Sequence, residues 1–378
     1  MFRKVILTMK FTCDKSLLAE AINIVCLAVT SKATIPSLEG ILIKCDHQQI
    51  TLTGYNLELG ITKNITAHIQ EEGTIILNAS LLTNIINKMP NGNITLSTNA
   101  QLMTQIQCED IEFTISGLNA EDYPEIPQIN QNQQLLLEQG TFKNMISQTL
   151  FAVAQTEQTP IYTGTLFDIT PQQLSVVSVD GYRLAMRTEP ISQADTYHFI
   201  VPGKTLNEIQ KILSKLNLDP TEDIQILVSD KHIIFEISEY HIISRLLEGD
   251  FLDYHNAIPK DCKTKVSIET KDFIDSINRA SIIINDRTKS PIKCEFFEDI
   301  IKLSCETSLG KIQDSFSSQT EGENVKIGFN NKYMLDALRA SESDKILLEM
   351  NGPLSPIKIL PMQGNSFLFL VLPVRLKD

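Results

Sequence analysis

Acidic pairs stand at Glu109-Asp110, Glu121-Asp122 and Glu298-Asp299, with further aspartates at Asp180, Asp250 and Asp253. Convergent carboxylates hold divalent metal for hydrolytic and phosphoryl chemistry. Spacing alone does not establish convergence. A metal-dependent nuclease or hydrolase using Asp122, Asp180, Asp250 and Asp253 therefore stands beside plain surface and turn roles. Asp122 and Asp250 are 128 residues apart, at matching places in a repeat described below. That placement favours a repeated structural crossing over one asymmetric active site. The histidines (His47, His68, His198, His232, His241, His255) form no His-Glu-x-x-His pattern and no zinc spacing with cysteine. His232 and His241 lie in alternating, strand-like runs and read as structural. Lys204 and Lys311 follow glycines, but His198 and Cys305 occupy the place of a phosphate loop's first glycine. The seven cysteines show no Cys-x-x-Cys and read as free or buried thiols of a reducing, cytoplasmic compartment. No metal or cofactor is expected.

The remaining chemistry is electrostatic. The 378 residues carry 33 Lys and Arg against 46 Asp and Glu, a formal charge of −13. A surface gripping nucleic acid all over would be strongly basic, so that class is excluded, although a local basic face is not. Six helical segments (15–30, 79–89, 140–155, 203–216, 271–284 and 331–341) hold ten cations: Lys15, Lys88, Lys143, Lys204, Lys211, Lys215, Lys271, Arg279, Lys332 and Arg339. They hold five anions: Glu20, Glu208, Asp272, Asp275 and Asp336. The segments sum to +5 and the rest of the chain to −18. In the fourth, Lys204, Lys211 and Lys215 share a face opposite Leu206, Ile209 and Leu213. Solvated lysines on amphipathic helices are the plain reading. Segregation over six helices adds another, a mildly basic lining within an acidic body. Such a lining would confine a polyanion while neutralising few of its phosphates.

Those helices belong to a repeat. Apolar stripes recur at Leu17, Ala21, Ile24, Ala28; at Phe142, Ile146, Leu150, Val153; and at Phe273, Ile277, Ala280, Ile284. Each is followed by a proline expected to open a strand: Pro36, Pro160 and Pro291, 124 and 131 residues apart. A second helix follows Asn78, Pro202 and Asn330, 124 and 128 apart. Alternating runs such as Asn93-Ile-Thr-Leu-Ser and Asp223-Ile-Gln-Ile-Leu-Val read as half-buried strands. The chain thus reads as three copies of one α+β unit, too long for a solenoid repeat and large enough for separate cores. Polar, proline-bearing crossings at 119–134 and 248–263 set expected domains 1–130, 131–260 and 261–378. No apolar run reaches a membrane span, and the first residues lack a signal peptide's apolar region.

Taken in order, Met9-Lys-Phe-Thr, Ile35-Pro-Ser-Leu-Glu-Gly-Ile-Leu, Asp180-Gly-Tyr-Arg-Leu-Ala, Glu248-Gly-Asp-Phe-Leu-Asp-Tyr with Ile258-Pro, Ile327-Gly-Phe-Asn-Asn-Lys-Tyr and Leu372-Pro-Val-Arg-Leu resemble the beta sliding clamp family of bacterial DNA polymerase III. The resemblance spans about residues 9–378; Met1–Thr8 precede the usual family start. It implies three similar domains, each with two helices packed on antiparallel sheets, closing into a ring as a head-to-tail homodimer around duplex DNA. It implies a non-enzymatic processivity factor whose partners are DNA polymerase III, clamp-loader subunits and other clients, with no membrane.

The family's client-peptide pocket maps onto Tyr162, Val179, Gly181, Tyr182, Arg183, Leu184, Leu252, Ala257, Leu370, Leu372, Pro373, Val374, Arg375 and Leu376. An ordinary turn is the plain reading of Asp180–Leu184. Three departures bear on pocket shape: Leu252 where proline is frequent after an aromatic, Tyr182 where histidine is common, and Lys377-Asp378 after the usual end. By position, Phe113 would meet Ile282 and Ile283 at the dimer seam, although Ile282–Ile284 also suit a domain core. Lys32 matches a basic position near the DNA path. A monomeric peptide-binding module without a DNA role is the remaining alternative.

Overall fold

Polar side chains that start helices recur at the repeat's landmarks. Asp14 accepts from the Ser16 and Leu17 amides (2.7 and 3.2 Å), Asn78 from Leu81 (2.9 Å), and Asn330 from Lys332 and Tyr333 (2.9 and 3.2 Å). Each satisfies donors that a helix leaves orphaned, which is why Asn78 and Asn330 recur at one phase. The computed structural model describes residues 8–127, 129, 133–156, 158–216, 218–284 and 290–376. Most of the Met1–Thr8 extension and the terminal Lys377-Asp378 lie outside them.

One element order is run three times, the second copy having four strands between its helices where the others have five. The first copy is Met9–Asp14, helix α1 (Lys15–Val25), Gly40–Asp46, Gln49–Tyr55, Leu59–Thr66, His68–Glu71, Gly73–Asn78, α2 (Ala79–Lys88), Asn93–Thr98, Met103–Cys108 and Ile111–Ser116. The second is Gln133–Glu138, α3 (Gln139–Thr149), Gly164–Ile169, Gln173–Val179, Arg183–Pro190, Tyr197–Pro202, α4 (Gly203–Leu216), Asp223–Val228, His232–Ile237 and Tyr240–Arg245. A short helix α5 (Tyr254–Ala257) lies in the crossing. The third is Thr264–Glu269, α6 (Thr270–Ser281), Ile292–Phe296, Ile300–Thr307, Gly310–Ser317, Gln319–Gly322, Val325–Phe329, α7 (Asn331–Ala340), Lys345–Met350, Ile357–Pro361 and Phe367–Val371.

Compactness divides the chain differently from the repeat. One unit is the described part of Met1–Gln139 with Ile212–Leu246; the other is Gly140–Lys211 with Leu247–Asp378, as far as it is described. The boundary cuts the second copy because strands pair across copy borders. In the first unit Tyr240–Arg245 pairs with Leu59–Thr66, joining four second-copy strands to four first-copy strands in an eight-stranded antiparallel sheet. A five-stranded sheet ending in edge strand Ile111–Ser116 completes that unit. In the second unit Arg183–Pro190 pairs with Phe367–Val371, with Leu184 opposite Leu370, inside a nine-stranded sheet. A four-stranded sheet in the order 310–317, 300–307, 292–296, 325–329 lies beside it.

Helices bury one face each. In α4, Leu206, Ile209, Ile212 and Leu213 are buried while Lys204, Lys211 and Lys215 are exposed, as the spacing predicts. The third-copy stripe Phe273, Ile277, Ala280 is fully buried, with Ile284 packed against the same core. The first stripe needs a correction. Leu17 is 51% exposed, whereas Ala21, Ile24 and Ala28 are buried as expected, together with Leu18, Ile22 and Val25. Capping by Asp14 starts the helix so early that Leu17 falls in the first turn on the outer side. A second correction concerns the prolines. Pro36 and Pro160 open single 3-10 turns (Pro36–Glu39, Pro160–Thr163), and the strands begin only at Gly40 and Gly164. Proline's fixed φ suits the first position of a helical turn and its missing N–H costs nothing there. Pro291 alone leads straight into its strand.

All seven cysteines are free thiols, and burial pushes Cys13 and Cys45 up to about 12, so they stay protonated at neutral pH. Among the described residues no helix is long and apolar enough to cross a membrane.

Candidate functional site

In the second unit, alternate residues of adjoining strands place Ile200, Leu166, Val177, Val179, Leu184, Met186, Leu368 and Leu370 on one sheet face, the period of two fixing the set. The other face, with Phe167, Val176, Ala185 and Phe369, is buried too. A sheet buried on both faces needs a cover on each. For the first face that cover is the crossing after the second copy: Leu247, Phe251, Tyr254 and Ile258 pack on it, with Ile161 and Tyr162 alongside. The Tyr162 and Phe251 rings meet edge to face at 5.6 Å. The cover is incomplete. Tyr182, Leu252, Leu372 and Val374 remain 61%, 38%, 39% and 37% exposed. The result is a buried apolar cluster bordered by accessible apolar side chains.

The crossing is anchored by Tyr254, whose hydroxyl donates to Asp168 Oδ2 at 2.7 Å. Burial, reinforced by Asp168, holds the Tyr254 phenol well above its usual range, so it remains a donor. Tyr254→Phe is expected to destabilise the chain by about 1–2 kcal/mol, because it strands a part-buried carboxylate. The shift of the urea midpoint measures it, and an unchanged midpoint would contradict the anchor.

The sequence-derived residues divide by place. Val179, Leu184 and Leu370 are buried in the apolar cluster on that sheet face, and Tyr162 packs partly buried against it. Leu252, Tyr182, Leu372 and Val374 are the accessible border, and Ala257 ends α5. Gly181, at φ +86°, turns the hairpin while Asp180 Oδ1 accepts from the Tyr182 and Arg183 amides (2.9 and 3.0 Å). Pro373, Arg375 and Leu376 lie along the C-terminal segment. Arg183 does not line the expected pocket as an available cation. Its side chain is 6% exposed, pairing with Asp180 (Nε, 3.0 Å) and Asp336 of α7 (Nη1, 2.6 Å) under the Tyr333 ring, 4.7 Å from its centroid. Tyr182 stacks on the same Tyr333. Leu166, Val177, Met186, Leu247, Phe251 and Leu368 escaped sequence reasoning; their period-two alternation was visible, but the pairing that assembles them was not.

Two of the four aspartates considered for catalysis, Asp180 and Asp253, commit their carboxylates locally, and Asp122 is held through its main-chain carbonyl. Asp180 binds Arg183 and two amides, and Asp253 caps α5, accepting from Asn256. Ser37 donates to the Asp122 carbonyl at 2.7 Å, fixing the first crossing.

The helical cations differ in availability. Lys88, Lys204, Lys215, Lys271 and Lys332 are exposed, Lys15 and Lys143 half-buried, and Lys32 is exposed in its loop. Two carry carboxylate partners: Lys211 pairs with Glu208 (2.8 Å), and Arg279 Nε donates to Asp314 at 2.8 Å. Burial alone would raise Asp314, but Arg279 and Ser276 outweigh it and hold the carboxyl below its usual range. Arg339 donates to Asn278 at 3.3 Å. At the expected seam, Phe113 is 42% exposed on an edge strand and Ile282 is 80% exposed after α6, while Ile283 packs partly against the third-copy core.

Three successive copies of one strand–helix–strand unit, with cations on exposed helix faces and strands of the second and third copies joined in one sheet, define the DNA clamp class. Three family models match in chain order: the DNA polymerase III beta subunit N-terminal domain over 9–127, its central domain over 136–253 and its C-terminal domain over 255–375. The chain belongs to the DNA polymerase III beta subunit family and is a processivity clamp of that polymerase. The beta sliding clamp of Staphylococcus aureus (strain Mu50) is 32% identical over 378 residues, covering 97% of this chain and 99% of the relative. A crystal structure of a DNA polymerase III beta subunit from Eubacterium rectale superposes with TM-score 0.93 at 34% identity, covering 97% and 99%. The Pseudomonas aeruginosa clamp, solved bound to griselimycin, superposes with TM-score 0.91 at 25% identity, covering 97% and 100%.

Proposed function

We propose that two copies of this chain close head to tail around duplex DNA and hold the replicative polymerase there through the apolar cleft. The chain catalyses nothing itself and works in the cytoplasm. Its domains follow the copies, 1–130, 131–260 and 261–378. Lys15, Lys32, Lys88, Lys143, Lys204, Lys211, Lys215, Lys271, Arg279, Lys332 and Arg339 face the duplex, Phe113 meets Ile282 and Ile283 at each seam, and the cleft takes polymerase, clamp-loader and other client segments. Griselimycin, which the Pseudomonas aeruginosa clamp holds, is a ligand expected for the same cleft here.

The observation that carries the reading is the distribution of charge: a chain of −13 puts its helices at +5. Each neutralised phosphate adds affinity and salt dependence. Lys211 and Arg279 already hold carboxylates, which weakens the grip further. A tether that slides needs linkage, not tight contact. The test is retention on closed circular DNA after loading, with release when the circle is cut. Equal retention on both forms would overturn topological linkage. Metal-dependent cleavage of the DNA, abolished by Asp→Asn substitutions, would favour the nuclease alternative.

A further inference from the structure

We infer that Gly328 is a positioning residue of the client cleft, fixing where the C-terminal segment Leu372–Leu376 lies; the inference rests on the cleft assignment above. Past strand Phe367–Val371 the chain is held at two main-chain points. The Leu372 N–H donates to the Tyr182 carbonyl at 3.0 Å, and the Val374 N–H donates to the Gly328 carbonyl at 2.8 Å. Pro373, between them, has no N–H to give. The segment therefore bridges the cleft's hairpin turn and an edge strand of the four-stranded sheet.

Gly328 lies in Val325–Phe329, whose neighbours Ile327 and Phe329 point into the core at 0% exposure. Position 328 faces the opposite way, towards the C-terminal segment. A Cβ there would stand 2.7 Å from Val374 O and 2.7 Å from Leu376 Cδ2. The leucine tip could swing aside. The Val374 carbonyl could not, because it is main chain and its own residue is tied to Gly328. The φ of Gly328 lies outside the left-handed region, so conformation is not what demands glycine. Close approach of a passing chain is. That chain carries Leu372 and Val374, two accessible border side chains, directly after buried Leu370. A side chain at 328 lifts the segment and moves the cleft wall with it.

The test compares the full chain with Gly328→Ala and, independently, Val374→Pro, which keeps the glycine but removes the tying N–H. Labelled griselimycin reports the cleft, and hydrogen exchange at the Val374 amide reports the tie. Gly328→Ala is expected to bind griselimycin at least tenfold more weakly and to lose protection at Val374, with an unchanged far-UV circular dichroism spectrum and dimer mass as the control for folding. Val374→Pro should show the same loss of affinity. Unchanged Val374 exchange in Gly328→Ala, or affinity within twofold of the parent in both variants, would overturn the inference. A parent chain that does not bind griselimycin would instead count against the cleft assignment, while the exchange result would still read the Gly328 contact.

Discussion

Arg183→Met is expected to destabilise the chain by about 3–5 kcal/mol, the usual consequence of removing one partner from a buried ion-pair network. The Arg183 side chain is 6% exposed and those of Asp180 and Asp336 are 12% and 25% exposed. Without the guanidinium, two carboxylates face one another in a poorly solvated space, and the Tyr333 and Phe151 rings lose the cation lying over them at 4.7 and 5.3 Å. Arginine is suited to this place because its planar fork can satisfy both acids while stacking on a ring. For a unit of roughly two hundred residues the loss is a fall of about 10 °C in thermal midpoint. Client binding should fall with it, since Asp180 also shapes the turn carrying Tyr182. The discriminating variant removes all three charges as Asp180→Asn, Arg183→Met and Asp336→Leu, the asparagine oxygen still accepting from the Tyr182 and Arg183 amides. Exchanging a buried network for well-packed apolar groups is often neutral, so this variant should regain most of the lost stability. A single variant as stable as the parent, by calorimetry, would show that Arg183 is not holding the turn to α7.

The same residue illustrates what a sequence conceals. The turn Asp180-Gly-Tyr-Arg-Leu is legible locally, because Asp and Gly at those places specify it. Nothing near Arg183 in the chain reveals that Asp336 waits on a helix in another copy. The amphipathic face of α4 was legible because a stripe at helical period needs no knowledge of its partner. Leu17 misled because two adjacent leucines suit neighbouring stripes, and only the cap at Asp14 decides between them. Cleft residues were legible where they lie in a turn or near the terminus. Leu166, Val177 and Met186 were not, because their face is joined to Leu368 and Leu370 only when Arg183–Pro190 pairs with Phe367–Val371. The same pairing explains why compact units cut the second copy while sequence periodicity marks its ends. Periodicity records duplication; compactness records which strands share hydrogen bonds.

The second large effect is expected at the seam: Ile282→Asp should convert the two-chain assembly into single chains of 42.4 kDa. Ile282 is 80% exposed where α6 ends, the most exposed large apolar side chain among the described residues. An isolated chain loses little from the substitution, about 0.3–1 kcal/mol for an anion at a helix C-terminus. In the proposed ring the same position leaves water. Burying isoleucine contributes roughly 1.5–3 kcal/mol, which aspartate forfeits while adding the penalty of a desolvated charge. A closed head-to-tail pair contains two such seams, so every loss counts twice. A combined loss above about 6 kcal/mol corresponds to a rise of more than 10⁴-fold in the dissociation constant. Light scattering at micromolar concentration reads the mass. Retention on closed circular DNA should vanish together with the dimer, whereas griselimycin affinity should persist, because every residue assigned to the cleft lies within one compact unit of one chain. A variant that stays dimeric would place the seam away from Ile282, and a monomer still held on closed circles would break the link between ring closure and retention.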